Sequence, residues 1–446
     1  MSNGSGNEGQ ADPGFARRDI LATAGAVAVG GVAGCSQSTG TPTGSGNTPT
    51  TTPPGATTTT ARTTTPANPC ESPTVLSPSD VEDGGTVSAG CYRAENTLTV
   101  ERGTLTLEAG VVIQFTQNEG LEVESEGRLR ASGTEGQPVI LTGTEESRGF
   151  WKGLRIGNSN STDNVLEHTV VQYAGASSWN PNYSPAGVFV RGETATLSVR
   201  QSTVRSNASM GLTVTQPEAH LDLQGVSFED NEAPLYIPAN LAGGIAPNTA
   251  FENNDESAVF LGEPSGAGWT TVAESAAWPA LDVPYRSRIN VHVEAPVEVA
   301  PGTTVEFEQG RGMQVRGEGR LTADAAEAEP ITFRGTEEIT GFWKGLFFTN
   351  SLSSDNVLRN VVIENGGSGE TESGGANDVA NLYVDGDQTA AAVTVSNSTV
   401  RGSGKYGIAV RDGNARLMGC GGVTFENNAG ADTYNLEAGA PISRCQ

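Results

Sequence analysis

The sequence predicts an all-β solenoid in which a single chain winds as a parallel β-helix built from an internal duplication. Three observations carry this. Sliding the chain by 192 residues aligns 126–175 with 318–367 without a gap, and 26 of the 50 positions are identical. Within each copy, short apolar runs bounded by Gly, Glu and Thr alternate in the manner of strands with one buried face. Corresponding runs return every ~20–26 residues, the coil length of a parallel β-helix. No segment past residue 36 holds a 3.6-residue period with caps.

The first 35 residues are targeting material and stay outside the fold argument. Arg17 and Arg18 form a twin-arginine pair ahead of the weakly apolar stretch 20–33, and Val32-Ala-Gly-Cys35 follows in the pattern of a lipobox. Fourteen residues are too few to cross a ~30 Å hydrocarbon core. The order of these signals predicts export and lipidation at Cys35, with lipid chains as the only membrane attachment. Residues 36–69 contain 14 Thr, six Pro and a single charge, Arg62. Such a tract cannot bury a core and reads as an extended stalk. The expected location is the outer face of the cell membrane.

The folded part begins near Cys70. Val111–Phe115, Leu121–Val123, Leu129–Ala131 and Val139–Leu141 read as consecutive strands of the first copy, assigned to 70–284 with a cap and a spacer. The second copy, with its own cap, takes 285–446. Gly-Phe-Trp-Lys-Gly-Leu occurs at 149–154 and 341–346, and Asp-Asn-Val-Leu at 163–166 and 355–358. Phe228, Phe251 and Phe425 are each followed three residues later by Asn231, Asn254 and Asn428. Asn suits a tight left-handed turn, and stacked turns would let Asn side chains bond between coils. Cys70, Cys91, Cys420 and Cys445 sit in pairs at the two ends, and four cysteines allow three connectivities. Sequence-local pairing, 70–91 and 420–445, is expected in an oxidising exterior.

Residues 92–428 resemble the right-handed parallel β-helix repeats of pectate-lyase-like proteins, and more narrowly the β-helix modules of prokaryotic surface lipoproteins. The resemblance rests on Pro284-Tyr285, Ala300-Pro-Gly-Thr-Thr-Val-Glu-Phe307, and the duplicated Phe-Trp-Lys-Gly-Leu and Asp-Asn-Val-Leu strings. It implies the hand of the helix. It leaves function open, since this fold hosts lyases, hydrolases, epimerases, adhesins and structural proteins.

Charge narrows the partners. The chain of 446 residues has 52 acids against 26 bases, a net charge of −26, and its only lysines are Lys152, Lys344 and Lys405. That excludes the basic stripe a nucleic-acid binder needs. The Lys-poor, acid-rich balance resembles proteins of extreme halophiles, haloarchaeal ones included, where hydrated carboxylates maintain solubility. The sequence shows no string typical of polygalacturonase-type hydrolases. His168, His220 and His292 lie far apart, with no zinc-ligand spacing. No catalytic residue, metal site or cofactor is expected.

The lysine of each Trp-Lys-Gly unit precedes a strand start, which favours a packing role for Trp151 and Trp343 over sugar binding. In the loop 175–187, Trp179 and Tyr183 are the candidate contacts for a glycan, with packing back on the coils as the competing reading. Asn-x-Ser/Thr sequons start, among other positions, at Asn160, Asn207 and Asn397. The expected function is a lipid-anchored extracellular β-helix that binds or structures surface polymer without catalysis. The rival is a polysaccharide-active enzyme, which would need at least two carboxylates and one basic residue converging in a groove across adjacent coils.

Overall fold

The structure is a computed structural model that describes residues 70–262, 268–369, 379–386, 389–411 and 413–442. Arg17, Arg18, Cys35, the Thr/Pro-rich residues 36–69 and Cys445 lie outside the described residues. Every strand-to-strand ladder within them is parallel, and the chain winds as a right-handed β-helix of three faces. One coil shows the rule. Val111–Phe115 lies on the first face, and the two halves of Gly120–Ser132 supply the second and third. Val139–Gly143 then returns to pair with Val111–Phe115, Val112 opposite Ile140. The runs around 121–123 and 129–131 are thus one bent strand. At the bend, a side chain on Gly127 would meet the Val100 carbonyl at 2.1 Å, so only Gly allows the coils to stack there.

Coil length varies more than the period suggests. Thr203 to Ser227, opposite each other on the first face, is 24 residues, but Val170 to Thr203 is 33. The excess comes from the 175–185 loop. Inward residues stack above their counterparts. Ile113, Leu141, Val171, Val204, Phe228 and Phe251 form one such interior row, all buried. Each carries roughly 1.5–3 kcal/mol of burial. Two 3₁₀ turns, Pro78–Asp80 and Ala239–Gly244, are the only helical elements among the described residues.

The second copy does not sit directly above the first. Val139–Gly143 belongs to the first face, but its duplicate Ile331–Gly335 does not. It stacks through Thr304–Phe307 and Tyr285–Ser287 onto Val259–Leu261, which is second-face sheet. The duplicated unit is therefore not a whole number of coils, and corresponding surfaces are displaced by one face. The ladder runs through the 284/285 boundary without a break.

One consequence is a row of outward residues with alternating charge. Arg286, Glu306, Arg334, Glu364, Arg401 and Glu426 stand in register on neighbouring strands. Glu306 receives Arg286 at 2.9 Å and Arg334 at 2.7 Å, and Glu364 receives Arg401 at 2.6 Å. The equivalent row of the first copy is uncharged only in its middle, where Gln114, Thr142 and Gln172 stand between Arg93 and Arg205.

Corners between faces are bracketed by buried polar side chains. Asn207 donates through Nδ2 to Asn231 Oδ1 at 2.9 Å, and Asn231 donates likewise to Asn254 at 3.0 Å. Their oxygens also accept backbone N–H groups from the coil before, at 3.1 and 3.0 Å. The ladder extends the expected Phe-x-x-Asn series, since Asn207 follows no Phe. The left-handed position is not the ladder Asn but the residue before it: Ser206, Asp230, Asn253 and Asn427 have φ of 53°. The duplicated Asp-Asn-Val-Leu string has the same use. Asn164 and Asn356 accept the Leu129 and Leu321 N–H groups, and Asp163 and Asp355 pair with Arg130 and Arg320.

Cys70 and Cys91 form a disulfide at the N-terminal end. Cys420 is also disulfide-bonded. Asn231→Ala would orphan the Asn207 donors and the Val204 carbonyl in the interior, at roughly 1–3 kcal/mol for each unsatisfied group. Urea unfolding should show a loss of at least about 2 kcal/mol, and a loss below about 0.5 kcal/mol would contradict the role given to the ladder.

Candidate functional site

The Trp-Lys-Gly pairs come first, because they are the most visible repeated motif. Trp151 and Trp343 are fully buried. Each stacks on the Phe of the coil below, Phe115 at 4.4 Å and Phe307 at 4.6 Å between ring centres. Each donates its indole N–H to a carbonyl, of Gln172 and Glu364, at 2.7 Å. The following strands start at Gly153 and Gly345, where a side chain would press on the next coil within 2.5 Å. These pairs are core.

The loop after the first pair folds back on the second face. Lys152 Nζ lies 4.2 Å over the Trp179 ring, a cation–π contact. The indole covers Gly120, where a side chain would come within 2.7 Å of it. Ser177 Oγ donates to Asn118 Oδ1 at 2.5 Å. Tyr183 packs on Phe189 with ring centres 5.7 Å apart. Phe189 points outward from its strand yet has no exposure, so the loop exists to cover it. Trp179 and Tyr183 are half-buried and do not project as a platform. The counterpart loop of the second copy falls mostly outside the described residues.

The concave surface lies elsewhere, on the third face. Thr196–Arg200 and His220–Gln224 pair in register, Thr196 opposite His220 and Ser198 opposite Asp222. Alternation buries Leu197, Val199, Leu221 and Leu223 and turns the polar residues outward. The next coil lacks a strand on this face. Pro238-Ala-Asn-Leu-Ala-Gly-Gly244 forms the 3₁₀ turn instead. Its Gly244 passes so close that a side chain would meet the Leu221 carbonyl at 2.1 Å. The missing strand leaves a groove of about 320 Å³, lined among others by Thr196, Glu218, His220, Asp222, Asn240 and Glu274.

These residues divide by commitment. Asn240 braces the groove: its Nδ2 donates to Pro217 O, and its Oδ1 accepts from Ala273 N and Glu274 N, all at 3.1 Å. Asp222 is held by Arg200 at 3.2 Å and by Gln224 at 3.0 Å. The exposed side chains of Glu218, His220 and Glu274 make no hydrogen bond or ion pair among the described residues. Two carboxylates and an imidazole are thus free in one groove, Glu218 and His220 from one coil and Glu274 from the second coil beyond it. Such groups hydrogen-bond hydroxyls or exchange protons with them.

A second depression of about 280 Å³ adjoins it, lined by Asn158, Arg191, Glu193, Thr194 and Gln216. Arg155 stands nearby against Glu122. Its guanidinium is pushed below the usual arginine range, first by burial and then by repulsion from Arg191. In the second copy, register places Arg416 and Met418 where the first has His220 and Asp222.

The sequence missed this site. Glu218 and Glu274 look like scattered surface acids, and only the substitution of a Pro/Gly-rich segment for a strand at 238–244 signalled a change there. His220 enters the groove, whereas His292 is buried and stacked on Trp269, and His168 sits in a left-handed turn with φ 44°. No group of three or more His, Cys, Asp or Glu side chains that could hold a metal occurs among the described residues.

Replacing Trp151 or Trp343 with Ala should cost ~3–5 kcal/mol, whereas Lys152→Gln should cost under about 1 kcal/mol, the scale of an exposed cation–π contact. Thermal melts of the three variants test this. A Lys152→Gln loss as large as that of Trp151→Ala would contradict it.

Residues 81–180 match the family described as the pectate-lyase like beta helix domain. No curated protein and no solved structure matches the chain. Sequence match and three-faced parallel winding agree: the chain carries a pectate-lyase-like β-helix domain.

Proposed function

We propose that the protein is a lipid-anchored extracellular β-helix that binds surface polymer along the third-face groove. The observation that carries this is the set of uncommitted side chains, Glu218, His220 and Glu274, which span three coils in one open depression. A shallow polar groove suits a chain of hydroxyl-bearing units better than an enclosed apolar ligand. Its carboxylates favour uncharged or amine-bearing sugars, and the net charge of −26 disfavours polyanions at low salt. The outward location rests on the Arg17-Arg18 pair, the weak apolar stretch and Cys35 in that order.

A second reading is supported by the same groups. Acid–base cleavage of a glycosidic bond uses a pair of carboxyl groups, which Glu218 and Glu274 would supply, with the imidazole as a further proton carrier. One experiment separates the two. The full chain, with Glu218→Gln and Glu274→Gln variants, is tested against cell-envelope polysaccharides in high salt for binding and for released reducing ends. Binding without product, weakened at least fivefold in the double variant, is the expected result. Product that disappears in either variant would establish the enzyme instead. Unchanged binding in the double variant would remove the groove from the function.

Location has its own test. Arg17→Lys with Arg18→Lys should abolish export, and Cys35→Ser should move exported protein from the membrane to the medium. Membrane retention of the Cys35→Ser protein would contradict lipid anchoring.

A further inference from the structure

Four sequons lie among the described residues, at Asn160, Asn182, Asn207 and Asn397, and they differ sharply in the folded chain. Asn207 is fully buried. Its Nδ2 donates to Asn231 Oδ1 at 2.9 Å and to the Val171 carbonyl at 3.4 Å, and its Oδ1 accepts the Ala174 N–H at 2.8 Å. The facing coil makes room for it with Gly187, where a side chain would lie 2.7 Å from Asn207 Nδ2. The second copy exchanges the two positions. Asn381 stands where Gly187 does and Ser403 where Asn207 does, and Asn381 Oδ1 accepts the Gly366 N–H at 2.6 Å. Asn207 is thus a packing element, and a sugar on its Nδ2 has no space.

Asn397 is exposed but sits in a left-handed turn with φ 49°. Its sequon Thr399 is already in a strand paired on both sides, with Val362 and Thr424.

Asn182 is exposed, but its sequon Ser184 is half-buried and directly followed by Pro185 in the loop that packs on the second face. Asn160 differs from all three. Asn160-Ser161-Thr162 lies between the strands Gly153–Gly157 and Val165–Glu167, outside every ladder. Asn160 and Thr162 are exposed, and neither side chain makes a hydrogen bond among the described residues. The local turn is held by Ser161 instead, whose Oγ accepts the Asp163 N–H and whose carbonyl accepts the Asn164 N–H, both at 3.1 Å. The amide nitrogen and the Thr hydroxyl that a transferase must engage are therefore both accessible without unfolding. The second copy has Leu352 at this position, 59% exposed, so the turn tolerates unrelated side chains and its geometry does not depend on Asn160. Asn160 lines neither depression.

We propose that Asn160 is an N-glycan acceptor in the folded protein and that Asn207 is barred from that role by its place in the ladder. The donor is a phosphate-activated, lipid-linked oligosaccharide. A bond forms between Asn160 Nδ2 and the anomeric carbon, the carbon–oxygen bond to phosphate breaks, and the Nδ2 proton leaves with the phosphate. No oxidant or reductant is needed. The assignment rests on the outward location proposed above.

The test uses full chain recovered from the cells that make it, with protease accessibility on intact cells measured in parallel. Peptide mapping by mass spectrometry should find a glycan mass on the peptide holding Asn160 and none on that holding Asn207. Asn160→Gln should remove that mass and leave the melting temperature unchanged. Protease-accessible protein with an unmodified Asn160, or with a glycan on Asn207, overturns the proposal while the location stands. Protein shielded from protease on intact cells overturns the location, and the acceptor role falls with it.

Discussion

In-register stacking of parallel strands is the constraint on which the rest of this structure depends. Each residue lies about 4.8 Å above a counterpart in the coil below. A buried side chain must therefore tolerate its own kind as a neighbour, and a polar group at a corner must find its partner along the axis. Interior rows such as Val204, Phe228 and Phe251 meet the first demand. The Asn207–Asn231–Asn254 ladder meets the second, satisfying backbone N–H groups where the chain turns between sheets. The alternating Arg and Glu row of the second copy applies the same demand outside, because like charges directly above one another would repel.

The duplication acts within this constraint in an unobvious way. Because the repeated unit is not a whole number of coils, the second copy emerges one face further round. Its equivalent motifs, Trp151 and Trp343 among them, cannot line up into one extended surface. What the copies share is internal: the stacked Trp, the Asn164 and Asn356 brackets, the Ser202 and Ser398 hydroxyls that accept the Thr169 and Val361 N–H groups. What distinguishes them is external. The groove lies in the first copy, where a 3₁₀ turn replaces a strand and exposes the polar side of the coils before it.

This division bears on how function is read from such a fold. Repeated strings draw the eye, yet here they maintain the coil and carry no free chemistry. The free groups, Glu218, His220 and Glu274, stand where the repeat is interrupted. A solenoid without interruption presents flat faces, so a depression able to hold a ligand needs a departure from the repeat.

Sequence by itself determined the winding, the duplication, the strands and the buried role of Trp151 and Trp343, because alternation and period are local properties that burial imposes on neighbouring residues. It also pointed to corner asparagines, though it placed the left-handed conformation one residue too late and left the Asn207 sequon level with that at Asn160. Only the tertiary structure decided which face each copy presents, since small changes in loop length accumulate along the coil until a face is gained. It alone united Glu218 with Glu274, more than fifty positions apart, in one groove. Groups that meet through stacking leave no spacing signal in the chain, because the distance between them is set by the number of residues each coil happens to contain.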